Sequence, residues 1–155
     1  KIPTVKYVRS ADLIYNYLGM KEAQQRQQKS SEQLKLRLDT LQLDFQNSVN
    51  QYNKDYPKLS GGERSERERL LNLQQNNLKN YSQQIENKLK EEDLKLTEGV
   101  LNQINAFIEE YGKEKGYDII LGTTTSGNIL YGKKEMDITN ELLEVLNDNY
   151  KNGEK

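Results

Sequence analysis

The chain has 155 residues, of which 34% are hydrophobic and 30% charged, with 29 Asn plus Gln and a formal net charge of −1. That is too little apolar material for a compact globule of this length and too regular for a disordered chain, so it points to elongated helices with a thin apolar seam. Without cysteine or histidine there are no disulfides, no thiolate chemistry and none of the commonest general base or metal ligand. No basic stripe argues for nucleic acid, and no run approaches the ~18 apolar residues of a membrane helix.

Pro3-Thr4-Val5-Lys6-Tyr7-Val8 alternates, with Val5 and Tyr7 on one face, and predicts a short strand. Lys1-Ile2-Pro3-Thr4-Val5 is not a signal peptide, and a cleaved one would leave no trace. Ser10 stands as a helix N-cap with Asp12 in the first turn, where a negative charge suits the helix dipole.

From Ala11 to about Tyr56 there is no Pro and the only Gly is Gly19, which predicts one long helix. Leu13, Tyr17, Met20, Leu34, Leu38, Leu41, Phe45 and Tyr52 recur at steps of three, four and seven, a heptad seam. The same register places Gln24, Gln27 and Ser31 in the seam, where the coil should be weakly held.

Pro57 and Gly61-Gly62 end that run. The string Leu59-Ser60-Gly61-Gly62-Glu63-Arg64 is similar to the signature motif of ABC-type and SMC/Rad50-type ATPases. A phosphate-binding loop needs G-x-x-x-x-G-K-[ST]. The nearest match, Gly122 to Gly127, is followed by Asn128 and Ile129, which can supply neither the Lys nor the hydroxyl. The string is better read as a turn. Its glycines reverse the chain, and Ser60 with Glu63, or Ser65 with Glu68, forms a capping box where the next helix begins.

That second helix is predicted from about Glu63 to Lys115, with Leu71, Leu78, Tyr81, Ile85, Leu89, Leu96, Val100, Ile104, Phe107 and Tyr111 on its seam. Two helices of similar length across a short turn fold back as an antiparallel hairpin. Gly112 and Gly116 close the second helix. Tyr117–Leu121 and Asn128–Tyr131 then predict two strands of a β-hairpin. Asp137 or Thr139 caps a last helix through about Asp148 that buries Leu142, Leu143 and Leu146.

The expected class is therefore mainly α with a small β part. Residues 1–20 with 99–150 form an oligomerisation body, 21–98 a helical hairpin arm with its tip near 57–65, and 151–155 a disordered tail. Three short strands and one short helix make a poor core with exposed edges, so copies should join through Val5, Tyr7, Ile119, Leu121, Ile129 and Tyr131. Leu36, Leu43, Tyr56, Leu59 and Leu73 are apolar but off the seam, a candidate contact surface for a partner. Acidic groups such as Glu91-Glu92-Asp93 point in different directions around a helix. No catalytic, cofactor-binding or metal-binding constellation is expected.

The run Tyr117-Asp118-Ile119-Ile120-Leu121, Ile129-Leu130-Tyr131, Asp137-Ile138-Thr139 and Leu142-Leu143-Glu144-Val145-Leu146-Asn147 resembles the C-terminal end of the Skp/OmpH periplasmic chaperones. The N-terminal strand leading into Ala11-Asp12-Leu13-Ile14-Tyr15 is similar to that family too. The resemblance implies a homotrimer with three helical arms around a cavity. It implies capture of unfolded outer-membrane β-barrel proteins in the periplasm of a Gram-negative bacterium, without ATP and after removal of a signal peptide. The best-known member of the family is strongly basic, whereas residues 31–98 here carry eleven basic and twelve acidic side chains. No lipopolysaccharide or acidic-lipid site is assigned. The alternative is a coiled-coil scaffold or tether with one folded partner.

Overall fold

The computed structural model describes residues 1–153 and divides into two compact units, Lys1–Arg26 with Leu94–Lys155 (the terminal unit) and Gln27–Asp93 (the hairpin unit). The elements are β1 (Val5–Val8), α1 (Ser10–Asn16), α2 (Leu18–Asp55), α3 (Gly61–Lys115), β2 (Ile119–Gly122) and α4 (Thr139–Lys151). The helical class and the small strand content match the expectation from periodicity.

In the hairpin unit α2 and α3 run antiparallel. Gln27 Nε2 donates to Asp93 Oδ1 at 3.4 Å at one end, and the Tyr52 hydroxyl donates to Glu68 Oε1 at 2.5 Å near the turn. Leu34, Leu38, Leu41, Phe45 and Tyr52 face Leu71, Leu78, Tyr81 and Leu89, all half-buried, and only Ile85 is fully buried here among the described residues. Gln24 lies outside the seam, exposed; Ala23 takes its place, while Gln27 and Ser31 are half-buried. The turn is built as a capping box. Ser60 N–H donates to Glu63 Oε2 at 3.0 Å and Glu63 N–H to Ser60 Oγ at 3.2 Å, and α3 starts two residues earlier than predicted. Ser65 and Glu68 lie inside α3 and cap nothing.

The terminal unit holds the main core, with Leu13, Leu142, Ile138, Val8 and Ile104 almost completely buried. Two expectations are corrected here. The first is the unbroken helix from Ala11. The chain leaves helical geometry at Tyr17 (φ −70°, ψ 124°), and Ser10 opens α1 without a side-chain cap. One carboxamide bridges this break: Asn147 Oδ1 accepts from Leu18 N–H at 2.9 Å, and its Nδ2 donates to the Asn16 carbonyl at 3.3 Å. The Tyr17 ring, 5.7 Å from that of Tyr150, lies over Gly19, where a Cβ would come within 2.4 Å of Cζ. A side chain there is sterically excluded, which explains the lone glycine in the run.

The second correction is the β-hairpin. β2 pairs not with Asn128–Tyr131 but with β1, in parallel, Val5 opposite Ile119 through Val8 opposite Gly122. The segment at Ile129–Tyr131 has no strand, because Asn128 closes the preceding loop on itself. Asn128 Oδ1 accepts from Thr124 N–H at 2.7 Å, and its Nδ2 donates to the Gly122 carbonyl at 2.7 Å. α3 ends in a Schellman motif with Gly116 at φ 71°, and Tyr117 N–H donates to the Gly112 carbonyl at 2.9 Å. Gly112 itself lies inside the helix. α4 continues three residues past Asp148. Asn152 and Gly153 form a turn, and the disorder expected of Glu154 and Lys155 lies outside the described residues.

Candidate functional site

The end of β1 is tied to the start of α4 by one polar network. Arg9 N–H donates to Thr139 Oγ1 at 2.8 Å, Thr139 N–H and Oγ1–H reach Asp137 Oδ1 at 3.0 and 2.5 Å, and Arg9 Nε donates to Asp137 Oδ2 at 3.0 Å. Burial works to raise the Asp137 carboxyl, but the bonds from Thr139 and Arg9 outweigh it and hold the group below its ordinary value. Across the core, Tyr111 donates to Glu141, and burial with that bond pushes the phenol far up. Among the described residues no three carboxylates converge as a metal site.

The terminal unit instead presents an open sheet edge. β1 is covered on both sides, by β2 and by the Glu135–Ile138 segment, where Ile138 N–H donates to the Tyr7 carbonyl at 3.0 Å and Lys6 Nζ to the Glu135 carbonyl at 2.9 Å. Val5 and Tyr7 are accordingly half-buried. β2 has a partner on one side only. Ile119 N–H donates to Thr4 and Thr123 N–H to Val8, so the alternating pattern turns the backbone groups of Ile120 and Gly122 away from β1. Ile119 and Leu121 are exposed beside this edge, and Ile129 is half-buried. Leu130, at 93% exposure, and Tyr131, at 83%, stand free. Sequence reasoning placed Leu130 within a predicted strand and did not single it out.

The hairpin unit carries the exposed leucines. Leu36 sits midway between seam residues Leu34 and Leu38, half a turn from each, and is 68% exposed. Leu43 stands in the same relation to Leu41 and Phe45, one heptad further along the same outer face of α2. Leu73 lies elsewhere, on the flank of α3 with Leu70, in a groove also lined by Leu41 and Tyr81. Tyr56 and Leu59 belong to the turn. The Tyr56 ring packs edge-on against Tyr52 at 5.7 Å and under the Arg64 guanidinium at 4.0 Å, and Leu59 is half-buried. The five residues therefore form three separate patches rather than one. Leu70, missed from sequence, was detectable in the dipeptide Leu70-Leu71, whose members cannot both face the seam.

Two likenesses relate this chain to known proteins. A family model described as Outer membrane protein (OmpH-like) matches residues 4–146. The fold is similar to the crystal structure of a proposed outer membrane chaperone (OmpH-like) from Caulobacter crescentus CB15. The TM-score is 0.85 at 15% sequence identity, over 96% of this chain and 86% of that one. No curated protein matches by sequence.

Proposed function

The chain belongs to the OmpH-like outer membrane protein family, and from that premise we propose that it is an ATP-independent holdase that keeps unfolded outer-membrane β-barrel proteins from aggregating in the periplasm. Three copies join through their terminal units, and the client is held among the hairpin units. The observation that carries this reading is the exposure of Leu36, Leu43, Leu70 and Leu73 on a two-helix unit whose remaining surface is rich in carboxamides. Contiguous exposed apolar patches of more than a few hundred Å² are rare on monomeric proteins and mark binding surfaces. Each leucine contributes at most ~1.5–3 kcal/mol when covered. Holding an unfolded chain therefore depends on many weak contacts, and release needs no nucleotide. Self-association is supported by the open edge of β2 and, separately, by the exposed apolar Leu130 and Tyr131.

The test is sedimentation of the purified protein, followed by dilution of a urea-unfolded β-barrel protein into it without nucleotide. Trimers that suppress light scattering are expected. A monomer that gives no protection overturns the reading and leaves a tether with one folded partner.

A further inference from the structure

Of the six arginines in the chain, five are engaged within it. Arg9 pairs with Asp12 and Asp137, Arg26 with Glu22, Arg67 with Asp55 and Arg69 with Glu66. Arg64 donates to the Tyr56 carbonyl and covers its ring. Arg37 alone has no ion pair, hydrogen bond or ring partner among the described residues. It lines the groove of about 440 Å³ between α2 and α3, wholly within the hairpin unit.

The other walls of that groove are of two kinds. Leu41, Leu70, Leu73 and Tyr81 make it apolar, and Gln74 and Asn77 add carboxamides; no carboxylate lines it. An unpaired guanidinium beside apolar surface is a strong, two-pronged partner for a carboxylate. Primary amides offer both donors and acceptors, as an extended peptide backbone requires. The volume lies in the range of sites that enclose a small ligand or a few side chains. We infer that this groove is a recognition site for an extended polypeptide segment in which an apolar side chain adjoins a carboxylate. The inference rests on the client-holding reading and narrows it. In a unit of nearly balanced charge, selection among unfolded chains falls to one positioned cation rather than to a general positive field.

Short unstructured peptides test this, each with a central Leu-Phe-Leu, an uncharged dye, and either Asp or Lys on both flanks. Binding to the full chain is read by fluorescence anisotropy at low salt. The Asp-flanked peptide should bind about fivefold more tightly than the Lys-flanked one, a preference that fades as salt rises. Arg37→Glu should reverse the preference and Arg37→Gln should erase it, with helicity by circular dichroism unchanged because the side chain is exposed. Leu73→Asn should weaken both peptides about tenfold. Equal binding of the two peptides, or a preference that survives Arg37→Glu, overturns the inference. So does capture of anionic phosphatidylglycerol vesicles that depends on Arg37 while the peptides show no preference. The aggregation assay separates this outcome from the parent reading. Protection without a flank preference sinks only the groove assignment. A flank preference without protection sinks the holdase and leaves a selective peptide site.

Discussion

The terminal unit and the hairpin unit solve the shortage of apolar residues in opposite ways. The terminal unit concentrates them: Leu142 at 0% exposure, Leu13 at 1% and Ile138 at 2% sit in one core reached by β1, α1, α3 and α4. The hairpin unit spreads them along a line in which only Ile85 passes below a tenth exposed, and it leaves other leucines in solvent. A concentrated core gives a fixed geometry. A thin seam gives a surface with apolar material to spare. Weak packing of the hairpin and the exposure of its leucines therefore have one origin.

Substitution can break that contrast. Leu142→Ala should cost ~2–5 kcal/mol, whereas Leu38→Ala on the half-buried seam should cost about 1 kcal/mol, both read by urea denaturation. Equal costs would mean that the two units are packed alike. Next in size is the joint at Tyr17. Gly19→Ala drives a methyl into the Tyr17 ring and should cost ~1–3 kcal/mol, while Gly99→Ala, which meets nothing within 4 Å, should gain ~0.5–1 kcal/mol. Asn147→Ala strips Leu18 N–H and Asn16 C=O of their partner and should cost ~1–3 kcal/mol, with faster amide exchange confined to residues near the joint.

A pH series sharpens the contrast further. The Asp137 carboxyl titrates below its ordinary value of 3.8, so its contribution is complete above that value and is lost as pH falls through the lowered one. Wild-type stability should decline more steeply in that acid range than that of Asp137→Asn, and the excess should appear in amides of the terminal unit. The smallest effect is expected in the seam. Gln27→Leu with Ser31→Leu should slow exchange across α2 by a few fold and leave the core amides unchanged. An unaltered α2 would show that the polar stretch is not the weak point.

What was legible in the sequence followed from local rules. The seam positions Leu34, Leu38, Leu41 and Phe45 depend on neighbours within a turn or two, and so does the Ser60–Glu63 box, one of two that the sequence offers. The exposed Leu36, Leu43 and Leu73 followed from the same periodicity, whereas Leu70 did not. The break at Tyr17 was hidden because its cause, Asn147, lies 129 residues from Leu18. The strand after α3 was found, but its partner was not. Turn-like residues at 122–127 argued for the next segment, whereas the register of β2 is set by β1 at the far end of the chain. The isolation of Arg37 was invisible for a related reason, since Asp39 stands nearby in sequence and only the folded geometry shows that no acid among the described residues reaches it.

The parallel pairing of β1 with β2 has a consequence for synthesis. A strand made ahead of both long helices waits for a mate encoded after them. Loop closure over that span is slow while the chain between is loose. Early zipping of the two helices shortens that loop and speeds the pairing of the ends. Any block to that zipping strands Val5–Val8 as a bare, sticky edge in the nascent polypeptide.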